Sequence, residues 1–385
     1  MSTAADTADV VIVGGGPAGS ALALALAGAF PQVPERRVLV LEARAAASTE
    51  YRPLALSHGS RLFLQRLGVW PQLSAAATPI RRIHVSQRGG FGRSQLEAGE
   101  LAVPALGYVI DYGLLSAALA QAAAQVADYR SGVSVSDWTA GEPALVSVER
   151  VGAAQQWSAE LLVIADGSGA ADVKTVDYGQ CAVTARVTCD QAAGDIAYER
   201  FTPEGPLALL PDRGQWALVW TVAPARAQQL CELDDAGFCA ELQQAFGRRA
   251  GRFTAVSHRA SHPLQLRRSA RQALQHTVLI GNAAQTLHPV AGQGFNLALR
   301  DVAVLARQVL EEPQELGSLR WTARYLAARE SDRSTMAGFT HGLVRLFSND
   351  IAPLAAARGT TLSMLGSLPP LKKFLARRMT FGPRG

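Results

Sequence analysis

The residues best equipped for chemistry are three glycines and a carboxylate. Gly14, Gly16 and Gly19 form a GxGxxG pattern inside VVIVGGGPAGSALA, and Glu42 follows 23 residues after the last of them. Residues 10–13 are a short β-branched run that reads as a buried parallel strand. Residues 18–29 are rich in Ala and Leu and read as a helix, and residues 38–41 read as a second buried strand. In that context each glycine has its own physical reason. Gly14 permits the tight turn, Gly16 lets the backbone approach a pyrophosphate without a Cβ, and Gly19 lets helix and strand pack closely. The first-turn N–H groups and the helix dipole then face the phosphates, each interaction contributing about 0.3–1 kcal/mol. Glu42, at the end of the second strand, can accept hydrogen bonds from a ribose diol and would repel a 2′-phosphate. The loop therefore suits FAD or NAD and disfavours NADP.

Two further strands end at glycine turns, LLVIADGSGA at 161–170 and TVLIGNAAQTLHPVAGQGFNLALRD at 277–301. The second places Gly281, Gly292 and Gly294 after a strand and before a helix starting near Phe295, a second anion-friendly nest. One pyrophosphate does not need two such sites, whereas a flavin does. Its pyrophosphate uses the first loop, and the second can stabilise the charge that develops at N1/O2 on reduction.

Composition sets the surroundings. The chain has 385 residues, 48% hydrophobic and 18% charged, so it is globular and long enough for two or three units. Four Cys without a CxxC exclude a disulfide scaffold, and their spacing argues against a structural zinc site. GxSxG, HExxH and Walker A patterns are absent. The net charge is 37 − 32 = +5, and LKKFLARRMTFGPRG at the C-terminus supplies all of it through Lys372, Lys373, Arg377, Arg378 and Arg384. The balanced body argues against nucleic acid as a partner, and the tail reads either as a solvated helix or as a peripheral contact with an anionic membrane surface. Residues 10–34 carry no charge, but the glycines interrupt them and Asp6 and Asp9 precede them, so neither a membrane span nor a signal peptide is expected. A cytoplasmic location follows, with the inner face of a membrane within reach.

Residues 181–275 change character: segments 182–187, 196–201, 216–222 and 253–258 read as strands around a helix at 234–246, an inserted, mainly antiparallel sheet. Residues 297–310 and 321–346 read as long helices. The organisation expected is a discontinuous nucleotide domain (1–75, 105–175, 276–330), a substrate-binding sheet domain (76–104, 176–275) and a C-terminal helical segment with the basic tail (331–385).

These motifs together carry a resemblance. GxGxxG with Glu42, YRPLALSHGSRLFLQRLGVW at 51–70, the Asp166-Gly167 pair and GNAAQTLHPVAGQGFNLALRD resemble the single-component FAD-dependent aromatic hydroxylases, and within them the ubiquinone-biosynthesis hydroxylases. The string Tyr198-Glu199-Arg200-Phe201-Thr202 followed by Gly205-Pro206-Leu207-Ala208 is similar too, and the likeness covers nearly the whole chain. The fold it implies is α/β: a Rossmann-like FAD-binding domain of the p-hydroxybenzoate hydroxylase type, an inserted substrate sheet and C-terminal helices. The activity it implies is hydroxylation of a polyprenylated phenol such as 2-polyprenyl-6-methoxyphenol, through a flavin C4a-hydroperoxide, with O2 and a transient NAD(P)H reductant. Other ubiquinone-biosynthesis proteins are the implied partners.

By the same resemblance, Gly14, Gly16 and Gly19 hold the FAD pyrophosphate and Glu42 its adenosine ribose. Arg52 reaches the cofactor, Asp166 serves FAD and the pyridine nucleotide, position 282 bonds the ribityl chain, and Gly292, Gly294 and Asn296 line the ring. Two positions depart from the pattern: Asn282 replaces an acid, and Ala117 replaces an Arg or Gln whose contact is missing or supplied by Gln121. His288 is the one histidine with a positional argument for a base acting on the phenol. His258 and His262 read as structural, while Arg186 and Arg200 are left open by strand phase. Leu207–Pro211 and Trp216–Trp220 read equally as channel lining or core. Two other functions stay open: a prenyl-chain reductase using FAD without O2, and a non-enzymatic binder of prenylated partners, which would be colourless.

Overall fold

The computed structural model describes residues 5–27, 37–46, 51–89, 92–150, 153–168, 172–286, 292–347 and 368–382. In chain order their strands are β1 (Asp6–Val13), β2 (Val38–Glu42), β3 (Pro53–Ser57), β4 (Thr78–Ile80), β5 (Arg82–Gln87), β6 (Arg93–Glu97), β7 (Gly107–Asp111), β8 (Asp128–Ser131), β9 (Ser134–Thr139), β10 (Ala144–Arg150), β11 (Ala153–Ile164), β12 (Val173–Cys189), β13 (Ile196–Thr202), β14 (Gly205–Asp212), β15 (Gln215–Val222), β16 (Phe253–Ser269), β17 (Ala273–Leu274), β18 (Thr277–Leu279) and β19 (Gln285–Thr286). The helices are α1 (Pro17–Ala27), α2 (His58–Arg66), α3 (Trp70–Leu73), α4 (Tyr112–Ala123), α5 (Pro224–Glu232), α6 (Asp235–Phe246), α7 (Gly294–Glu311), α8 (Leu319–Phe347) and α9 (Pro369–Phe381).

The first sheet runs β17-β18-β11-β1-β2-β8, and its central strands are parallel. All five residues of β2 and the last four of β1 are buried, as an uninterrupted apolar run requires when both faces are covered. One face packs on α1, α4 and α7. The apolar surface of α1 extends all round because it is enclosed by sheet and helices. The other face is covered by β9 and β10, a hairpin extension that buries Trp157 with Val146 and Leu162. This extension was not read from the sequence, where its strands alternate with charged residues.

The second sheet runs β19-β16-β12-β15-β14-β13-β5-β6 and is antiparallel except where β13 meets β5. It is the inserted sheet, with residues 82–97 returning to its edge. Strands β12 and β16 are each 17 residues long, far beyond the expected 182–187 and 253–258. Bulges at Asp177/Gln180, Thr184/Arg186 and Thr188/Cys189 break the alternation, and the polar outer halves lack an apolar signal. The helix expected at 234–246 starts one residue later, because Asp234 is its N-cap and accepts from Gly237 N at 2.8 Å. Helix α5 precedes it and was not read. Helices α5 and α6 close one face of this sheet around Phe238, Leu242, Leu209 and Trp220.

A three-stranded sheet, β3-β7-β4, lies between the two. Ile80 and Val109 from it pack on Ala197 and Leu210 of the second sheet. The segment expected to begin at residue 331 continues α8, which starts at Leu319; Arg329 and Arg333, on either side of that boundary, both pair with Asp301 of α7. Helix α9 docks against α2, where a Cβ on Gly59 would lie 2.9 Å from the Thr380 carbonyl. Phe381 sits edge-on to His58, and Lys372 pairs with Glu100 at 2.6 Å.

Candidate functional site

Three turns meet at the carboxyl ends of β1, β11 and β18, where a wound sheet presents its crevice. Gly14 has φ +100°, donates to Leu41 O at 2.8 Å, and is so close to the second turn that a Cβ would lie 2.5 Å from Asp166 Cα. A Cβ on Gly19 would lie 2.0 Å from Gly14 O, the close helix–strand approach the pattern predicts. Gly16 differs: a Cβ there would meet nothing nearer than Arg44 at 3.8 Å and Tyr112 at 4.0 Å. No contact within the fold demands glycine there, so its small size serves whatever comes against the loop.

Glu42 is buried and already engaged. Its Oε2 accepts from Gly15 N at 2.7 Å, and Oε1 accepts from Arg44 N at 3.0 Å and Arg44 Nε at 2.8 Å. Burial opposes its charge, but the side-chain and backbone hydrogen bonds from Arg44, with that from Gly15, outweigh it and hold the carboxyl below its ordinary range. A carboxylate has about four lone-pair sites, so one remains for a hydroxyl. A cavity of about 150 Å³ opens beside it, lined by Arg44, Ser116, Tyr129 and Ser131. Tyr129 donates to Gly15 O at 2.8 Å and would collide with any side chain on Gly15. Arg44 and Tyr129 were missed. The LEAR string, with a base two residues beyond the acid, was the available signal for Arg44, whereas Tyr129 arrives from a strand far along the chain.

Arg52 is exposed, bonds through its backbone to Asp111 and Tyr112, and lays its guanidinium 5.1 Å from the Tyr112 ring, near Gly16. Asp166 is exposed and closes an Asx turn on Ser168 N at 2.9 Å. A Cβ on Gly167 would lie 3.6 Å from Asn282 Cβ, so the second and third turns touch. Asn282 itself is exposed on the Gly281–Ala283 turn. Ala117 and Gln121 are both exposed on α4, while Ser116 and Ala120 line the cavity.

At the second loop Gly292 has φ +59° and would press a Cβ to 3.0 Å from Ala55 Cβ; Gly294 faces open space. It begins α7, whose first turn has no side-chain cap and whose leading N–H groups have no partner within the helix. Asn296 does not present its amide to that space. Its Oδ1 accepts from Ser57 N at 2.8 Å and Ser60 Oγ at 2.7 Å, and its Nδ2 donates to Ala55 O at 2.9 Å and Gly292 O at 2.7 Å. All four positions are taken, so it pins the loop to β3 and α2. His288 lies outside the described residues.

Behind the third turn Asp301 is fully buried and bonded to Arg329 at 2.7 Å and Arg333 at 3.0 Å, with Gly281 N 3.4 Å away. Burial opposes its charge, but the two arginines outweigh it and hold its carboxyl low. This network ties the turn to α7 and α8.

The second sheet contributes one wall. Arg186 faces the nucleotide-binding side: it bonds Asp212 at 2.7 Å and lies 4.2 Å from the Tyr51 ring, and Tyr51 donates to Asp212 at 2.8 Å. The His258 ring lies tilted against that of Tyr51, centroids 5.2 Å apart. Arg200 is on the reverse face, over Phe246. The two stretches left open as lining or core divide by strand phase. Leu207, Leu209, Trp216, Leu218 and Trp220 are core under α5 and α6, while Ala208, Leu210 and Val219 are half-buried on the side facing β4 and β7. Among the described residues no group of His, Cys, Asp or Glu can hold a metal ion.

The FAD binding domain family matches residues 7–336. Ubiquinone hydroxylase UbiL of Rhodospirillum rubrum is 34% identical over 96% of this chain and 89% of its own length. The 3-demethoxyubiquinol 3-hydroxylase of Escherichia coli is 31% identical over 92% of this chain and 93% of its own. Among solved structures, p-nitrophenol 4-monooxygenase PnpA of Pseudomonas putida DLL-E4 has a TM-score of 0.80 at 17% identity, covering 99% of this chain and all of that one, a likeness of fold.

Proposed function

The chain belongs to the FAD binding domain family, as an FAD-dependent aromatic monooxygenase, and from that membership we propose that it hydroxylates the ring of a polyprenylated phenol in ubiquinone biosynthesis. The observation that carries the reading is the pair of glycine loops on one crevice. A Cβ on Gly16 would meet nothing nearer than 3.8 Å and one on Gly294 nothing within 4 Å, each at the start of a helix, and a cavity with a carboxylate rim lies behind the first. This fits FAD, which has a pyrophosphate, a ribose and a ring to hold. The Gly14–Gly19 loop would take the pyrophosphate and Glu42 the ribose. Arg52, Asp166 and Asn282 stand around the crevice between them, and Gly292 and Gly294 would back the ring. Bound there, FAD supplies electron transfer from NAD(P)H and the activation of O2.

The protein's own work is orientation, exclusion of water and proton handling. The first sheet forms the nucleotide domain, and the second sheet the wall against which the phenol lies. We assign the substrate to 2-polyprenyl-6-methoxyphenol; the apolar Ala208, Leu210 and Val219 support a prenyl-bearing ring. No helix among the described residues is long and apolar enough to cross a membrane. Helix α9 and the residue before it expose Leu368 and Phe374 together with Lys373 and Arg377, which supports peripheral contact with an anionic membrane at its cytoplasmic face, where other ubiquinone-biosynthesis proteins would meet it.

The test is a purified protein reconstituted with FAD and given NAD(P)H and a short-chain 2-prenylphenol. Hydroxylated product formed in step with O2 consumption supports the reading. Nicotinamide oxidation with a saturated chain and no O2 uptake makes it a reductase. Quinone profiles of cells lacking the protein fix the ring position through the intermediate that accumulates, and an unchanged profile overturns the proposal.

A further inference from the structure

One row of residues crosses the face of the second sheet that looks toward β4 and β7. Register pairs Val85 with Glu199, Glu199 with Ala208, Ala208 with Val219, Val219 with Thr184 and Thr184 with Ala260. All six are half-buried, whereas Leu209, Leu218 and Ala185 of the next row lie in the core on the reverse face. The row is thus a shallow trough across six strands, floored by small and β-branched side chains, with one ionisable group in it. The trough leads to the second glycine loop. Gly292 rests on Ala55, Ala55 is paired with Val109, and Val109 packs with Ala197, two residues from Glu199 on the same face of β13.

Among the described residues the Glu199 carboxyl has no hydrogen-bond or ion-pair partner. On the same face Arg186 and Asp212 are committed to each other and to Tyr51. His262 is exposed on β16, and Asp111, at the end of β7, accepts from Leu114 N and Arg52 N. On α8, Arg329, Asp332 and Arg333 belong to the Asp301 network, and Glu330 pairs with Arg268. Arg88, Arg200 and Arg249 act on one another on the reverse face. Burial is the one influence on the Glu199 carboxyl and pushes it up to about 7.

We propose that Glu199 is the general base of the hydroxylation, taking the proton of a phenol hydroxyl whose ring lies along this row. The phenol O–H bond breaks, a carboxyl O–H bond forms, and no electrons are gained or lost. The phenolate oxygen then feeds electron density into the ring. The inference rests on the phenol-hydroxylase reading above and adds the residue that activates its substrate.

The test uses FAD-loaded protein with 2-farnesylphenol as probe. Wild-type kcat/KM should rise with pH through a midpoint near 7. Glu199→Gln should lose that limb and fall by about 100-fold or more at about pH 8, while Glu199→Asp keeps the limb. A readout independent of turnover is thermal unfolding. Glu199→Gln should raise Tm at about pH 8, where the wild type must hold a buried charge, and leave it unchanged at about pH 5. Ala208→Leu, which fills the trough beside the carboxyl, should raise KM without moving the limb. A Glu199→Gln enzyme within about 3-fold of wild type with its limb intact overturns the assignment, as does a Tm independent of this residue at both pH values. Wild-type protein that holds FAD and hydroxylates no phenol overturns the functional reading instead.

Discussion

The backbone amide of Gly15 donates to Glu42 Oε2 at 2.7 Å, so the carboxylate placed to grip a ribose also holds the phosphate loop in shape. Glu42→Gln keeps an acceptor for Gly15 but loses the charge that Arg44 answers. Hydrogen bonds to charged groups contribute about 1.5–3 kcal/mol, so FAD affinity should fall about 10- to 100-fold in fluorescence titration of the apoprotein. Because the carboxyl lies below its ordinary range in the folded state, its contribution is full above the ordinary carboxylate pKa. It is lost as pH falls through the lowered value, so flavin retention should fail on the acid side.

Adjacent glycines of the first loop should separate folding from binding. Gly15→Ala drives a methyl into Tyr129 and should lower Tm with or without FAD. Gly16→Val places its Cβ 3.8 Å from the Arg44 guanidinium and 4.0 Å from the Tyr112 hydroxyl, ordinary contacts with the ends of side chains. It should leave apoprotein Tm unchanged and abolish FAD uptake. Normal flavin content in that variant would refute the loop's assignment.

Asn296 should prove structural. Asn296→Ala leaves Ser57 N–H and the Ala55 and Gly292 carbonyls without partners, at a cost of roughly 1–3 kcal/mol per buried group. Asn296→Asp should be no better, since a carboxylate oxygen would face those two carbonyls. Thermal unfolding of the apoprotein measures both; a Tm drop confined to the FAD-loaded protein would contradict the assignment.

Asp301→Asn leaves Arg329 with Asp332 alone and Arg333 without a carboxylate in the interior, and breaking such a buried pairing costs about 3–5 kcal/mol. Its carboxyl is held low, so the wild-type contribution is present above the ordinary carboxylate range and disappears as pH drops through the lowered value. Urea unfolding from about pH 7 downward should show a large difference between variant and wild type at neutral pH that narrows as the pH falls below the ordinary carboxylate range.

Local order along the chain was enough for the nucleotide half of the molecule. The β-branched runs, the spacing of Gly14, Gly16 and Gly19, and Glu42 at a strand end are requirements of a tight βαβ turn, met within some thirty consecutive residues. The second loop was legible for the same reason. Tertiary structure alone decided which side chains on the inserted sheet face the crevice, because bulges in β12 and β16 reset the alternation that phase would have to follow. It also turned Asn296 inward, since the Ser57 and Ser60 that claim its amide lie more than two hundred residues earlier. It isolated Glu199 as well. A glutamate in a Tyr-Glu-Arg-Phe string carries no sign of its solvation until six strands from distant parts of the chain are laid side by side, and the loss of water around it is what sets its chemistry.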